Sequence, residues 1–109
     1  MGTSKTEGFT AQQLELATIA RALAHPARVA ILQYLAQVNA CIGGDIVEAL
    51  PLAQPTISRH LKELKAVGLI KGEIEGVRVN YCIDRGRWEE VQALMGMFFS
   101  TPVNEQDCC

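Results

Sequence analysis

Gln54-Pro55-Thr56-Ile57-Ser58-Arg59-His60-Leu61-Lys62-Glu63-Leu64-Lys65, followed closely by Gly68-Leu69-Ile70, is the stretch that decides the fold of this chain. Ile57, Leu61 and Leu64 recur at spacings of four and three, which places them on one apolar face of a helix. The remaining face carries Thr56, Ser58, Arg59, Lys62 and Lys65, whose donors suit phosphate oxygens or base edges. Pro55 fits the first helical turn, where its missing N–H costs nothing. Gly68 is a natural stop because it tolerates the left-handed cap conformation. A short polar-faced helix held by one apolar stripe is what DNA recognition needs. The same pattern also describes an ordinary amphipathic surface helix, and the flanking chain separates the two.

Upstream, Thr10-Ala11-Gln12-Gln13 has the pattern of a capping box and opens a helix to about Leu23, with Leu16, Ile19, Ala20 and Leu23 on one side. His25-Pro26 ends it and starts a second helix with Val29, Leu32 and Leu35 as core candidates. His25 is expected to hydrogen-bond at that junction rather than to bind a ligand. Gly43-Gly44-Asp45 breaks the chain, and Asp45 with Glu48 resembles an N-cap and its partner for a short helix through Leu50. Pro51-Leu52 then turns the chain into the Gln54 helix, and two short helices so joined form a helix-turn-helix.

After Gly68 the hydrophobic period changes. Leu69, Ile70 and Ile74 lead to Glu75-Gly76, and then Val77, Val79, Tyr81 and Ile83 alternate with Arg78, Asn80 and Cys82. Two such runs around a glycine-containing turn predict a β-hairpin, the wing of a winged helix. The last helix, Arg85 to about Ser100, sets Trp88, Val91, Leu94, Met95, Phe98 and Phe99 along a broad apolar stripe. Two aromatics at its end exceed what a lone small domain leaves wet, so this helix and the first are the expected dimer interface. The expected fold is mainly α with a small β-hairpin: a homodimeric winged helix-turn-helix of order α-α-α-α-β-β-α. It occupies residues 10–100, between a flexible start at 1–9 and a cysteine-bearing tail at 101–109.

At 109 residues, 49% apolar and 20% charged, the chain is one folded domain near the size where dimerisation helps. No run approaches the roughly 18 consecutive apolar residues of a membrane span. Met1 to Glu7 lacks the apolar core of a signal peptide, so a cytoplasmic protein with no membrane partner is expected. A net charge of -2 argues against indiscriminate nucleic-acid binding. The charge is uneven, however. Between Gln54 and Arg78, Arg59, Lys62, Lys65, Lys71 and Arg78 outnumber Glu63, Glu73 and Glu75, whereas beyond residue 86 only Arg87 is basic. The chain has no CxxC, GxSxG or HExxH, and no cysteine followed by an anion-binding loop and arginine, which speaks against an enzyme.

Leu23-Ala24-His25-Pro26-Ala27-Arg28, the Gln54–Leu61 stretch, Leu64, Gly68-Leu69-Ile70 and Gly76…Val79…Tyr81 together resemble the ArsR/SmtB family of bacterial metal-sensing repressors over roughly residues 12–100. The resemblance implies a homodimer on an imperfect palindrome of double-stranded DNA, blocking transcription until an inducer binds. It also implies that Gln54, Thr56, Ser58, Arg59 and His60 face the major groove, with Lys62 beside them and Arg78 on the wing. The family usually has a basic residue directly after the wing glycine. Val77 stands there in this chain, which weakens the wing contact.

The inducer site follows the family pattern less closely. Founding arsenite sensors carry a Cys-Val-Cys-Asp-Leu-Cys stretch leading into the third helix. Aligned on Asp45, this chain reads Cys41-Ile42-Gly43-Gly44-Asp45, so Cys41 alone survives, one place early. The zinc site of other members needs Asp and His along the last helix, where this chain has Glu89 and Glu90 but no His. The remaining feature is the terminal Cys108-Cys109 pair. Thiolates select soft ions, and trivalent arsenic or antimony favours three of them. Residues 101–107 reach about 23 Å when extended, enough to return to Cys41 in the same subunit or its partner. The expected inducer is therefore arsenite or antimonite held by Cys41, Cys108 and Cys109, with no constitutive cofactor. The alternatives are a thiol-based redox sensor, or a sensor of organic arsenicals or other soft metals. Cys82 is expected to take no part.

Overall fold

The computed structural model describes residues 8–38, 52–75 and 78–105. Helix α1 spans Ala11–Ala22 and starts at the expected capping box. The Gln13 amide donates to Thr10 Oγ1 at 3.0 Å, and the Thr10 amide donates to Gln13 Oε1 at 2.9 Å, satisfying two otherwise orphaned donors. Helix α2 spans Pro26–Val38. Its cap is His25, as expected of a junction residue: Nδ1 accepts from the Ala27 amide at 3.1 Å, the role Ser or Asp usually takes.

Helix α2 buries Ala27, Ile31, Leu32 and Leu35. Val29 is 41% exposed, against the expectation that it belongs to the core. The inward stripe runs through 27, 31 and 35 with 32 beside it, and Val29 lies roughly opposite. The expected short helix from Asp45 lies outside the described residues. Helix α3 spans Gln54–Ala66. Gly68 follows it at φ 86, the left-handed turn that the sequence suggested would end this helix.

Strands β1, Ile70–Glu75, and β2, Arg78–Ile83, pair antiparallel, with Ile70 opposite Ile83 and Gly72 opposite Tyr81. The Asp84 amide donates to the Leu69 carbonyl at 2.9 Å and closes the base of the hairpin. Asp84 then caps helix α4, Arg85–Phe99, by accepting from the Arg87 amide. One core joins Ile19 of α1, Ile31, Leu32 and Leu35 of α2, Ile57, Leu61 and Leu64 of α3, Tyr81 of β2, and Val91 and Leu94 of α4. No helix among the described residues is long and apolar enough to cross a membrane.

Helix α4 outruns this core. Phe98 and Phe99 are 52% and 78% exposed and contact each other edge-on, with ring centroids 4.9 Å apart. They continue the stripe that Val91 and Leu94 begin, and among the described residues nothing buries them.

Candidate nucleic-acid interface

Ile57, Leu61 and Leu64 are buried and fix α3 to the core along one side. On its other side Arg59 and Lys62 are exposed, and Thr56 and Ser58 lie half-buried at the margin. The division follows the spacing: positions 57, 61 and 64 take one face, and 59 and 62 point away from it. Gln54 is the first residue of α3 and Arg78 the first of β2, where it pairs in register with Glu75. Ala53 precedes the helix without a capping side chain, and Pro55 in the first turn has no N–H to satisfy.

Two side chains depart from the expected donor face. Lys65 donates to the Gly72 carbonyl at 2.6 Å, so its ammonium ties α3 to the wing strand. His60 is only 5% exposed and does not join the groove-facing residues. The reason is again period: 60 lies three after Ile57 and four before Leu64, on the apolar side. Its Nδ1 accepts from Arg28 Nε at 3.0 Å. The pattern held a signal for this, because His60 falls on the very stripe used to recognise the helix.

The far end of α3 is held by Arg87 of α4. Arg87 Nε donates to the Val67 carbonyl at 3.1 Å, and Nη1 donates to Glu15 of α1 at 2.8 Å and Glu90 at 3.2 Å. The hydrogen bond to Glu15 keeps the guanidinium pKa above its ordinary value. First helix, last helix and the end of the recognition candidate thus meet at one guanidinium, a link that composition and spacing do not reveal.

Cys41, Cys108 and Cys109 lie outside the described residues. Cys82, half-buried on β2, is disulfide-bonded, a role the sequence did not suggest for it. Among the described residues no group of three or more His, Cys, Asp or Glu is arranged to hold a metal ion.

A helix with an exposed donor face, followed by an antiparallel hairpin and closed by a long helix, defines a winged-helix nucleic-acid-binding domain. The fold matches that of an ArsR-like transcriptional regulator from Rhodococcus sp. RHA1 with a TM-score of 0.65 at 23% identity, over 84% of this chain and 85% of that one. The family model described as "Bacterial regulatory protein, arsR family" matches residues 25–71. The chain is 37% identical over 79 residues to a helix-turn-helix transcriptional regulator of Methanocaldococcus jannaschii, covering 72% of this chain and 89% of that protein. It is 46% identical over 61 residues to the transcriptional repressor SmtB of Mycobacterium tuberculosis, 56% of this chain and 44% of that protein. This chain belongs to the ArsR/SmtB family of transcriptional regulators, a family of DNA-binding proteins and not of enzymes. The match spans under half the length of the mycobacterial repressor.

Proposed function

We infer that this protein is a transcriptional repressor that binds an imperfect DNA palindrome as a homodimer and leaves it when arsenite or antimonite binds Cys41, Cys108 and Cys109. The observation that carries the DNA role is α3 itself, with Arg59 and Lys62 exposed on a helix whose other side is locked into the core. Thr56, Ser58, Arg59 and Lys62, with Gln54 at the helix start, read base edges and phosphates, and Arg78 adds a wing contact. The exposed Phe98 and Phe99 at the end of α4 support a second copy as partner, assembled through α1 and α4.

In the reduced protein, with the Cys82 disulfide opened, three thiolates suit a trivalent metalloid, and two of them sit on the tail that continues from α4. Arg87 supports a mechanical route to release, since it bonds α1, α4 and the carbonyl of Val67 at the end of α3. A metalloid that draws the tail toward Cys41 displaces α4, and α3 moves with it. Paired recognition helices must sit about one helical turn of DNA apart, so a small tilt in each subunit breaks the fit.

The test is fluorescence anisotropy of a labelled DNA fragment from upstream of the protein's own gene, titrated with arsenite under reducing conditions. Tight, salt-sensitive binding that arsenite abolishes, and that Cys108→Ser/Cys109→Ser renders resistant, supports the reading. Binding indifferent to arsenite sinks the metalloid site and leaves the repressor. A thiol-redox repressor is the second reading, and the disulfide at Cys82 favours it. Release of DNA by peroxide, reversed by dithiothreitol and abolished by Cys82→Ser, distinguishes that reading.

A further inference from the structure

The cluster around His60 is not used by the DNA contacts or by the cysteines. Arg28 Nε donates to His60 Nδ1 at 3.0 Å, and Arg28 Nη1 donates to the carbonyl of Ala22, the last residue of α1, at 3.2 Å. The His25 ring stacks obliquely on that of His60, with centroids 4.3 Å apart and planes at 54°. One guanidinium therefore clamps the end of α1, the start of α2 and the middle of α3. The residues of α3 adjoining His60 are Arg59, on the exposed side, and Leu61, in the core.

Arginine stays protonated and only donates, so this clamp needs an acceptor on α3. A ring nitrogen that accepts carries no proton, hence His60 is the neutral tautomer with its hydrogen on Nε2. Protonation turns the acceptor into a donor aimed at a cation. The groups facing His60 are His25 and Arg28 from the α1–α2 corner and Arg59 and Glu63 from its own helix. Desolvation first, then His25, Arg28 and Arg59, holds the His60 pKa below 6.5, and Glu63 alone opposes them.

We propose that Arg28 and the neutral His60 form a positioning pair for operator binding, seating α3 on the α1–α2 corner at the angle that presents Thr56, Ser58, Arg59 and Lys62 to the groove. The proposal rests on the repressor reading given above. Proton uptake at His60 opens the clamp and lets the donor face swing, so specific affinity falls in acid while non-specific attraction to phosphates persists.

The experiment measures the Kd of the full-length wild type, His60→Asn and His25→Asn for the same upstream DNA fragment at about pH 7.5 and about pH 5.5, with melting curves at both to verify folding. Asparagine retains an acceptor near the Nδ1 position but does not titrate. At position 25 it also retains a helix cap. The Kd ratio of wild type to His60→Asn is expected to rise at least about threefold on acidification, with His25→Asn following the wild type. Parallel profiles for wild type and His60→Asn overturn the proposal, as does a pH response that vanishes in His25→Asn instead. A wild type that fails to bind at about pH 7.5 overturns the repressor reading and this inference with it.

Discussion

Gly72→Ala tests how tightly the wing is built. Gly72 sits in β1 at φ 127, a conformation that residues with a Cβ rarely adopt. A Cβ placed there meets the Asn80 carbonyl and lies 2.7 Å from Tyr81 Cα. Carbon atoms settle about 3.5–4.0 Å apart, so the strands must part by about 1 Å. Tyr81 is fully buried, and the displacement therefore passes into the core. Strain at such a φ costs about 1–3 kcal/mol, and weakening a ladder hydrogen bond adds about 1 kcal/mol. The sum, about 2–4 kcal/mol, lowers Tm by roughly 10–30 °C in a domain of this size. Gly68→Ala is the internal control. It too has positive φ, but its Cβ meets only the movable Arg87 side chain, at 3.2 Å from Cγ, and is expected to cost about 1–2 kcal/mol. Both variants are compared with wild type by circular dichroism melts at one protein concentration, so that any self-association weighs on them equally. A Gly72→Ala shift under about 3 °C, or one smaller than that of Gly68→Ala, refutes the reasoning.

Leu64→Ala removes a fully buried side chain that holds α3 to the core, and is expected to cost about 2–5 kcal/mol by urea denaturation. Phe98→Ser/Phe99→Ser is expected to shift sedimentation from dimer toward monomer while leaving the helical signal of the chain in place, because both rings lie outside the core. Stability is expected to be level above about pH 6.5 and to fall below it. The folded His60 has the lower pKa, so the unfolded chain binds the proton first and acid favours unfolding. Urea midpoints from about pH 7.5 to about pH 5.5 measure this, with His60→Asn expected to flatten the slope.

The parts of the fold legible in the sequence are those with a strong local rule. The capping box at Thr10, the stop at Gly68 and the alternation that makes β2 each depend on neighbours a few residues away, and all three are present in the structure. Two apolar stripes share α2 in the sequence, and packing against α3 and β2 selects the one through Ile31 and Leu35, which leaves Val29 exposed. The family resemblance sends His60 to the groove, whereas its spacing sets it on the apolar stripe. The partner that satisfies it there, Arg28, lies 32 residues away in sequence, where no local period reveals it. The Arg87 clamp spans 72 residues to Glu15, and no local period encodes it. Of the candidate interface, the residues on the outer face of α3 were legible from spacing alone. The tie between Lys65 and the wing was not, because it depends on how the hairpin folds back.

The most direct measurement of the central claim is the salt dependence of Kd for the palindromic upstream fragment, made on wild type and on Arg59→Ala/Lys62→Ala. If α3 is the recognition helix, wild type binds this fragment far more tightly than a scrambled one, and log Kd rises steeply with log salt. The double variant, whose side chains are exposed and outside the core, is expected to melt as wild type does. Its salt slope is expected to be shallower by about 2 for each phosphate-contacting residue lost from a dimer. Unchanged affinity and slope in a folded double variant would contradict the account.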